Sequence, residues 1–417
     1  MDQSNFTAAP QPGGPGPATP PSLRPVGFVS HGGDFQSLLI RGGLLELVTF
    51  GFYRFWLATA MRRYLWSHTL VDGENAEYTG TGRELLIGFL FALAILVPIF
   101  LVYFLIGLEA ERLQAFASVP LGLFMVLFGS FALYRARRYR LTRTIWRGVR
   151  FWMQGSGWKF AMIAFGWMIL TALTLGAAYP WRAAALERYK LQNTFYGDLQ
   201  GGFDARAIDF FKQGSGMWLF TLVTLLMLAG GGVLSASGSS GSGGTLVGFG
   251  IFMMLALPFI YPFFKALEWR WWASGVSFGG TRLKCDLRGG SLLGLYVKTY
   301  FFVWLATLAA GLAVGALGLV LFALFGLSVG QFNMRDLNDL LTANTWVTIA
   351  ATLVGYLFIV FVAGVVYRYM MQHEYWRRIS STMTLIKPES MEGVAAKGDL
   401  AHALGEGLAD GLDVAGF

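Results

Sequence analysis

Cysteine is nearly absent from this chain: the single residue, Cys285, excludes an internal disulfide and any multi-cysteine metal site. Histidine is almost as rare. His31, His68, His373 and His402 are too dispersed for a recognisable metal site, and His373-Glu374 lacks the second histidine that a zinc protease helix carries four residues on. Charge is scarce too: 13% of residues are charged, against roughly 25% in a soluble globular domain. Several soluble domains are therefore excluded, whereas one large membrane domain fits the 417 residues. What abounds is apolar sequence, 55% of the chain with a mean hydropathy of +0.53. It is arranged in runs of the length, about 20 residues, that crosses a hydrocarbon core.

The clearest spans are Glu84 to Leu108, Ala115 to Tyr134, Gly216 to Ala236, Thr245 to Leu267, Leu292 to about Leu317, and Thr345 to Met370. The connectors inside these pairs, Glu109 to Gln114, Ser237 to Gly244 and Leu327 to Asn344, hold few cations (Arg112, Arg335) and are expected to face away from the cytoplasm. The segments after each pair are basic instead, beginning with Arg135, Arg137, Arg138, Arg140, Arg143, Arg147 and Arg150. The positive-inside rule places them in the cytoplasm, where they meet anionic lipid headgroups. The net charge of +8 thus argues for a membrane surface and not for nucleic acid. Met1 to Pro25, rich in Pro, Gly, Ala and Ser, reads as a disordered tail. Residues 26–390 read as one membrane domain, and residues 391–417 as a tail or short docking helix.

Two further apolar stretches, Phe35 to Ala60 and Lys159 to Trp181, would put basic clusters on both faces of the bilayer if each crossed once. They are therefore expected to be re-entrant or kinked, bent at Gly51 and at Gly176 with Pro180. The alternative is an ordinary pair of spans, eight crossings in all.

An internal repeat accompanies these stretches. Adding 125 to Thr49, Gly51, Trp56, Arg63, Tyr64 and Thr69 lands on Thr174, Gly176, Trp181, Arg188, Tyr189 and Thr194. Its second half recurs as Arg137, Arg138, Tyr139 and Thr144, and more loosely at Trp269 to Val276 and Tyr375 to Thr382. A short β-like segment with a glycine turn follows each helix end: Thr69 to Gly82 with Asp72-Gly73, Thr144 to Gly157 with Gly148, Thr194 to Arg206 with Gly201-Gly202, and Val276 to Gly290 with Gly279-Gly280. Each reads as a hairpin. Hairpins are marginal singly, so several are expected to pair at the membrane surface. The fold class expected is mainly α: a polytopic helical membrane protein with internal repeats and short cytoplasmic β-hairpins between helices.

Ionisable residues at membrane depth are functional candidates. Glu46, flanked by Arg41 and Arg54, is a candidate polar intramembrane site. The remaining spans lack Asp and Glu, which argues against a proton-coupled pump. Arg137, Arg138, Arg140, Arg143 and Arg270, set among aromatic residues, are candidate contacts for anionic lipid headgroups. The glycines Gly311, Gly315 and Gly318 permit close helix contact inside the fold, the expected use, or dimerisation.

Thr49-Phe50-Gly51 through Trp56, Leu173-Thr174-Leu175-Gly176 through Tyr179-Pro180-Trp181, the Arg-Arg-Tyr segments and Leu404-Gly405-Glu406-Gly407-Leu408-Ala409-Asp410 together resemble the YjgN family of bacterial inner-membrane proteins. The resemblance runs from about Val26 to Phe417 and implies a bacterial cytoplasmic membrane. The first copy has Arg54-Phe55-Trp56 where the second has Tyr179-Pro180-Trp181, so the resemblance does not itself imply one bend for both. The family has no established activity, so it supplies no catalytic residues. Enzymatic activity and a cofactor are not indicated, and membrane lipids or a membrane-protein partner are the expected contacts. The leading expectation is a scaffold or lipid-binding membrane protein; the alternative is a transporter or channel whose path runs between repeats near Glu46.

Overall fold

A computed structural model of the chain describes residues 22–30, 32–109, 114–324, 345–398 and 400–401. Its ten strands form one closed up-and-down barrel: β1 (Leu23–Phe28), β2 (Thr69–Val71), β3 (Glu74–Tyr78), β4 (Thr144–Trp146), β5 (Val149–Met153), β6 (Thr194–Tyr196), β7 (Leu199–Phe203), β8 (Val276–Phe278), β9 (Thr281–Cys285) and β10 (Met383–Ile386). Every strand pairs antiparallel with its neighbour in the chain, and β1 pairs with β10 to close the ring. Strands of three to six residues cannot stand alone, and closure leaves no edge unpaired.

The two rims of the barrel differ. On one, two-residue turns join β2 to β3, β4 to β5, β6 to β7 and β8 to β9. On the other, helical excursions leave one strand and rejoin the next: α1 (Gly32–Val48) with α2 (Arg54–Ser67), α3 (Gly82–Glu109) with α4 (Gln114–Thr142), α5 (Gly157–Leu173) with α6 (Tyr179–Gln192), and α7 (Ala207–Ala236) with α8 (Ser240–Gly275). The last comprises α9 (Gly289–Leu324), α10 (Thr345–Arg368), a π-helical turn (Tyr369–Glu374) and α11 (Tyr375–Ser380). The described helices include six long and apolar enough to cross a membrane, running through Gly82–Leu105, Val119–Thr142, Ala207–Ala236, Ser240–Gly275, Gly289–Val320 and Ile349–Ser380. Their outward faces carry exposed residues such as Phe104, Phe252, Leu255 and Leu312, at home against lipid and costly in water.

α1 and α5 have 17 residues each, about 25 Å at about 1.5 Å per residue, and each turns back to the rim it left. Phe35 to Ala60 and Lys159 to Trp181 are therefore each a helix, a reversal and a second helix, and neither crosses once. Both reversals use one chemistry. Thr49 Oγ1 donates to the Leu45 carbonyl (2.7 Å) and accepts from Tyr53 N–H (3.0 Å); Thr174 Oγ1 does the same with Leu170 (2.8 Å) and Ala178 (3.1 Å). Phe50 and Leu175 adopt φ of 52° and 50°, followed by Gly51 and Gly176 at 88° and 90°. The glycine N–H groups then reach back five residues to the Glu46 and Thr171 carbonyls, 2.7 Å each. The bend is thus shared despite the differing residues after it. Pro180 lies in the first turn of α6, where its missing N–H costs nothing.

A second threonine recurs where helix becomes strand. Thr69, Thr144, Thr194 and Thr382 each donate Oγ1 to the carbonyl four residues back, on Leu65 (2.7 Å), Arg140 (2.9 Å), Lys190 (2.8 Å) and Arg378 (3.1 Å). This satisfies a carbonyl that the ending helix would leave unpaired. Thr194 is 1% exposed; Thr194→Val is expected to lower stability by about 1 kcal/mol, read as a fall in thermal midpoint with the fold retained.

Three expectations are corrected. The Pro/Gly-rich tail does not extend to Pro25: Leu23, Arg24 and Pro25 pair with Ile386, Leu385 and Thr384, a match with the far end of the chain that local composition cannot announce. Gly201-Gly202 is not the turn of its hairpin, which falls at Gly197-Asp198, between β6 and β7. The two glycines lie inside β7, where a Cβ at Gly201 would stand 2.8 Å from the Leu191 carbonyl oxygen. Finally, side chains at Gly311, Gly315 or Gly318 would meet no described atom within 4 Å, whereas at Gly231 and Gly250 they would strike the facing helix of the α7–α8 pair. The connectors around Arg112 and Arg335, His31, His402, and the Leu404 to Asp410 stretch with most of the expected docking helix lie outside the described residues.

Candidate functional site: a polar cavity beneath the barrel

Tyr261, Lys265 and Glu268 recur at the spacing that puts them on one face of α8. That face, with Arg137 of α4, Glu187 of α6, Tyr296 of α9, Tyr367 of α10, and Gln372 and Tyr375 from the segment after it, encloses a cavity of about 560 Å³. It sits among the rim-proximal ends of the helices, with Trp269, Trp271 and Trp272 on its barrel side.

Its carboxylates are both compensated. Glu268 accepts from Lys265 Nζ (2.6 Å) and from the Tyr179 hydroxyl (2.8 Å). Glu187 accepts from Lys190 Nζ and from Trp272 Nε1 (3.1 Å). Burial alone would raise the Glu187 pKa, but Lys190 and Arg137 outweigh it and hold the carboxyl below its ordinary value. Burial pushes Lys190 down, and Glu187 only partly offsets this. Arg137 is different: its Nε is buried with no hydrogen-bond partner, and no ion pair to a described residue reaches it. The Gln372 Oε1 atom is likewise buried without a partner. With two acid–base pairs cancelling, the cavity carries one uncompensated cation among tyrosine hydroxyls, Trp269 donating to Tyr375 at 2.8 Å. Such a pocket is equipped to hold an anion through charge-assisted hydrogen bonds.

The other expected site residues are dispersed around it. Arg143, 10% exposed at its side chain, pairs with Glu84 at 3.0 Å and lies over the Tyr139 ring, so it ties α4 to α3. Arg270 is exposed, and Arg138 and Arg140 are half-buried. Glu46 is held in two bonds, 2.6 and 3.1 Å, by Arg368 of α10, not by its sequence neighbours Arg41, which is exposed on α1, or Arg54, which opens α2. Two of the histidines come together: His373 Nε2 lies 2.8 Å from Ser30 Oγ, which lies 2.8 Å from the Tyr64 hydroxyl, and Tyr64 stacks on His68 at 4.0 Å.

Glu187 and Glu268 were not among the sequence candidates; Glu268 falls one residue beyond the apolar run that ends at Leu267, and Glu187 lies outside every apolar run. The spacing of Tyr261, Lys265 and Glu268 was the available signal.

Residues 24–411 match the family described as "Bacterial protein of unknown function (DUF898)". The chain belongs to that family. It is also similar to "Inner membrane protein YjgN" of Escherichia coli (strain K12), 27% identical over 154 residues, covering 36% of this chain and 37% of that protein. The similarity to that relative thus spans little more than a third of its length. No solved structure matches. The six long apolar helices, with the similarity to an inner membrane protein, make this a multi-pass protein of the bacterial inner membrane.

Proposed function

We propose that this DUF898 member binds an anionic amphiphile from the membrane, with its charged head in the cavity at Arg137 and the barrel facing the cytoplasm. The supporting observation is a partly buried Arg137, its Nε without a hydrogen-bond partner and no described carboxylate in an ion pair with it, in a 560 Å³ aromatic cavity at the rim-proximal ends of the helices. Positive-inside bias supports the orientation, because Arg135 to Arg150 lies beside the barrel. Arg138, Arg140 and Arg270 serve as further contacts at the surface. The same repeated helix-end and hairpin unit builds both the ring and the cavity's ceiling, and a partner-scaffold role would use the outer face of that ring. A path running past Glu46 draws less support, since Glu46 is bonded to Arg368 and does not line the cavity.

Arg137→Gln removes the cation and leaves a shorter, neutral amide in its place. Charge-assisted hydrogen bonds contribute roughly 1.5–3 kcal/mol, so anionic-lipid retention in native mass spectrometry is expected to fall about tenfold or more, with zwitterionic lipid unchanged. Equal retention of anionic lipid by the variant would refute the assignment.

A further inference from the structure

The barrel encloses a second cavity, of about 330 Å³, at the lower end of the roughly 300–1,000 Å³ range of ligand sites. Its walls are mostly apolar, formed by strand residues such as Val71, Ala76, Phe151, Val276, Leu283 and Leu385, with Ser277, Thr281 and Arg282 also in the lining. Met391, on the turn Pro388–Met391 that follows β10, also lines it. That turn is tied down where Thr281 Oγ1 donates to the Lys387 carbonyl at 2.9 Å.

The remaining lining includes three tryptophans from the helical rim. Trp66 and Trp376 stack at 5.2 Å and are fixed to the barrel, donating to Thr144 Oγ1 (3.1 Å) and Thr69 Oγ1 (2.9 Å). Trp272 is held differently: its indole donates to Glu187, a carboxylate of the lower cavity. Trp272 lines both chambers. It is therefore a wall common to a chamber that carries Arg137 and a chamber that is mostly apolar.

We propose that the barrel lumen takes the alkyl chain of a single-chain anionic amphiphile whose head is held at Arg137, the chain passing Trp272. This rests on the function proposed above and adds the site for the tail. The sorting of chemistry supports it: the polar chamber supplies a cation and hydroxyls, and the lumen, although Arg282 and Thr281 are among its lining, supplies mainly hydrocarbon contact. Burying apolar atoms against such a lining is favourable. Its volume of about 330 Å³ suits one short chain and is too small for a diacyl pair.

The test uses the full-length protein in phosphatidylcholine nanodiscs, with inorganic phosphate, methyl phosphate and a series from butyl to octyl phosphate. Each methylene that enters the lumen is expected to strengthen binding by about fourfold, until the lumen is full. Octyl phosphate with a diazirine on its terminal carbon is expected to label Phe151, Leu283 or Met391 on photolysis. Met391→Trp, which fills the lumen from the turn above it, is expected to weaken octyl phosphate about tenfold and leave methyl phosphate unchanged. If methyl phosphate binds through Arg137 but chain length has no effect, or the diazirine labels only lipid-facing residues such as Phe252 and Leu255, the lumen assignment is overturned and the head site stands. If inorganic phosphate binds as well as octyl phosphate, the ligand is a free anion and the lumen assignment again fails. If none of the phosphates depends on Arg137, the head-site reading itself is lost.

Discussion

Replacing Lys190 with Met is expected to cost about 3–5 kcal/mol, the loss typical when one partner of a buried ion pair is removed. Lys190 and Glu187 are 20% and 18% exposed at their side chains, and Glu187 also anchors Trp272. Without the ammonium, a carboxylate stays in a poorly solvated site with only the more distant Arg137 opposing it. Equilibrium unfolding in mixed dodecylmaltoside and SDS micelles would measure the loss. The double variant Glu187→Gln with Lys190→Met removes both charges and should recover most of the stability, because the penalty lies in the orphaned charge. A single variant as stable as the parent would show that the pair is solvated. The same pair sets a pH response. The Glu187 pKa is lowered on folding from an ordinary 4.5, so in mild acid the unfolded chain binds more protons than the folded one. Its stabilising contribution is complete above pH 4.5, and declines as pH falls through the lower, folded-state value. Glu187→Gln should flatten that part of the acid profile.

Phe35→Ala is expected to produce a loss of similar size, about 3–5 kcal/mol for a fully buried phenylalanine. Phe35 is 0% exposed in the cluster that joins α1 to α2, with Leu39, Leu57 and Leu65. Its ring also meets Tyr64 at 5.1 Å and His373 at 5.1 Å, so it docks the α1–α2 pair onto the π-helical turn. Truncation would leave a cavity at a junction of three elements, where no single side chain can fill it. Phe35→Met keeps most of the volume and should cost about 1.5 kcal/mol or less. Limited proteolysis would show whether the loss is local: cleavage near Phe50, 90% exposed at the reversal, should rise in Phe35→Ala. Equal stability of the Ala and Met variants would mean that the cluster does not hold the hairpin.

The membrane-crossing runs were legible because lipid imposes a one-dimensional rule: each run must be apolar for its whole length, whatever its neighbours are. That Phe35 to Ala60 and Lys159 to Trp181 each double back was legible through charge, since basic clusters at both ends conflict with a single crossing. Thr49-Phe50-Gly51 and Thr174-Leu175-Gly176 carried the bend in three residues, because hydroxyl capping and a positive-φ glycine are local chemistry. Arg137 appeared among the candidate headgroup contacts, yet nothing in the Arg135 to Arg150 run separates it from Arg143. The difference is that Glu84, from another helix, neutralises one and leaves the other.

Local patterns along the chain were enough for the lipid-embedded helices, the two reversals and the glycine turns at Asp72-Gly73 and Gly279-Gly280, since each depends on residues a few positions apart. Ring closure between β1 and β10, the pairing of Glu46 with Arg368, and the meeting of Arg137, Glu187, Lys265 and Tyr375 around one cavity depend on residues far apart in sequence. Their partners are chosen by the geometry of a closed ten-stranded ring, which brings every helical excursion back to one rim and so decides which charges cancel and which one is left over.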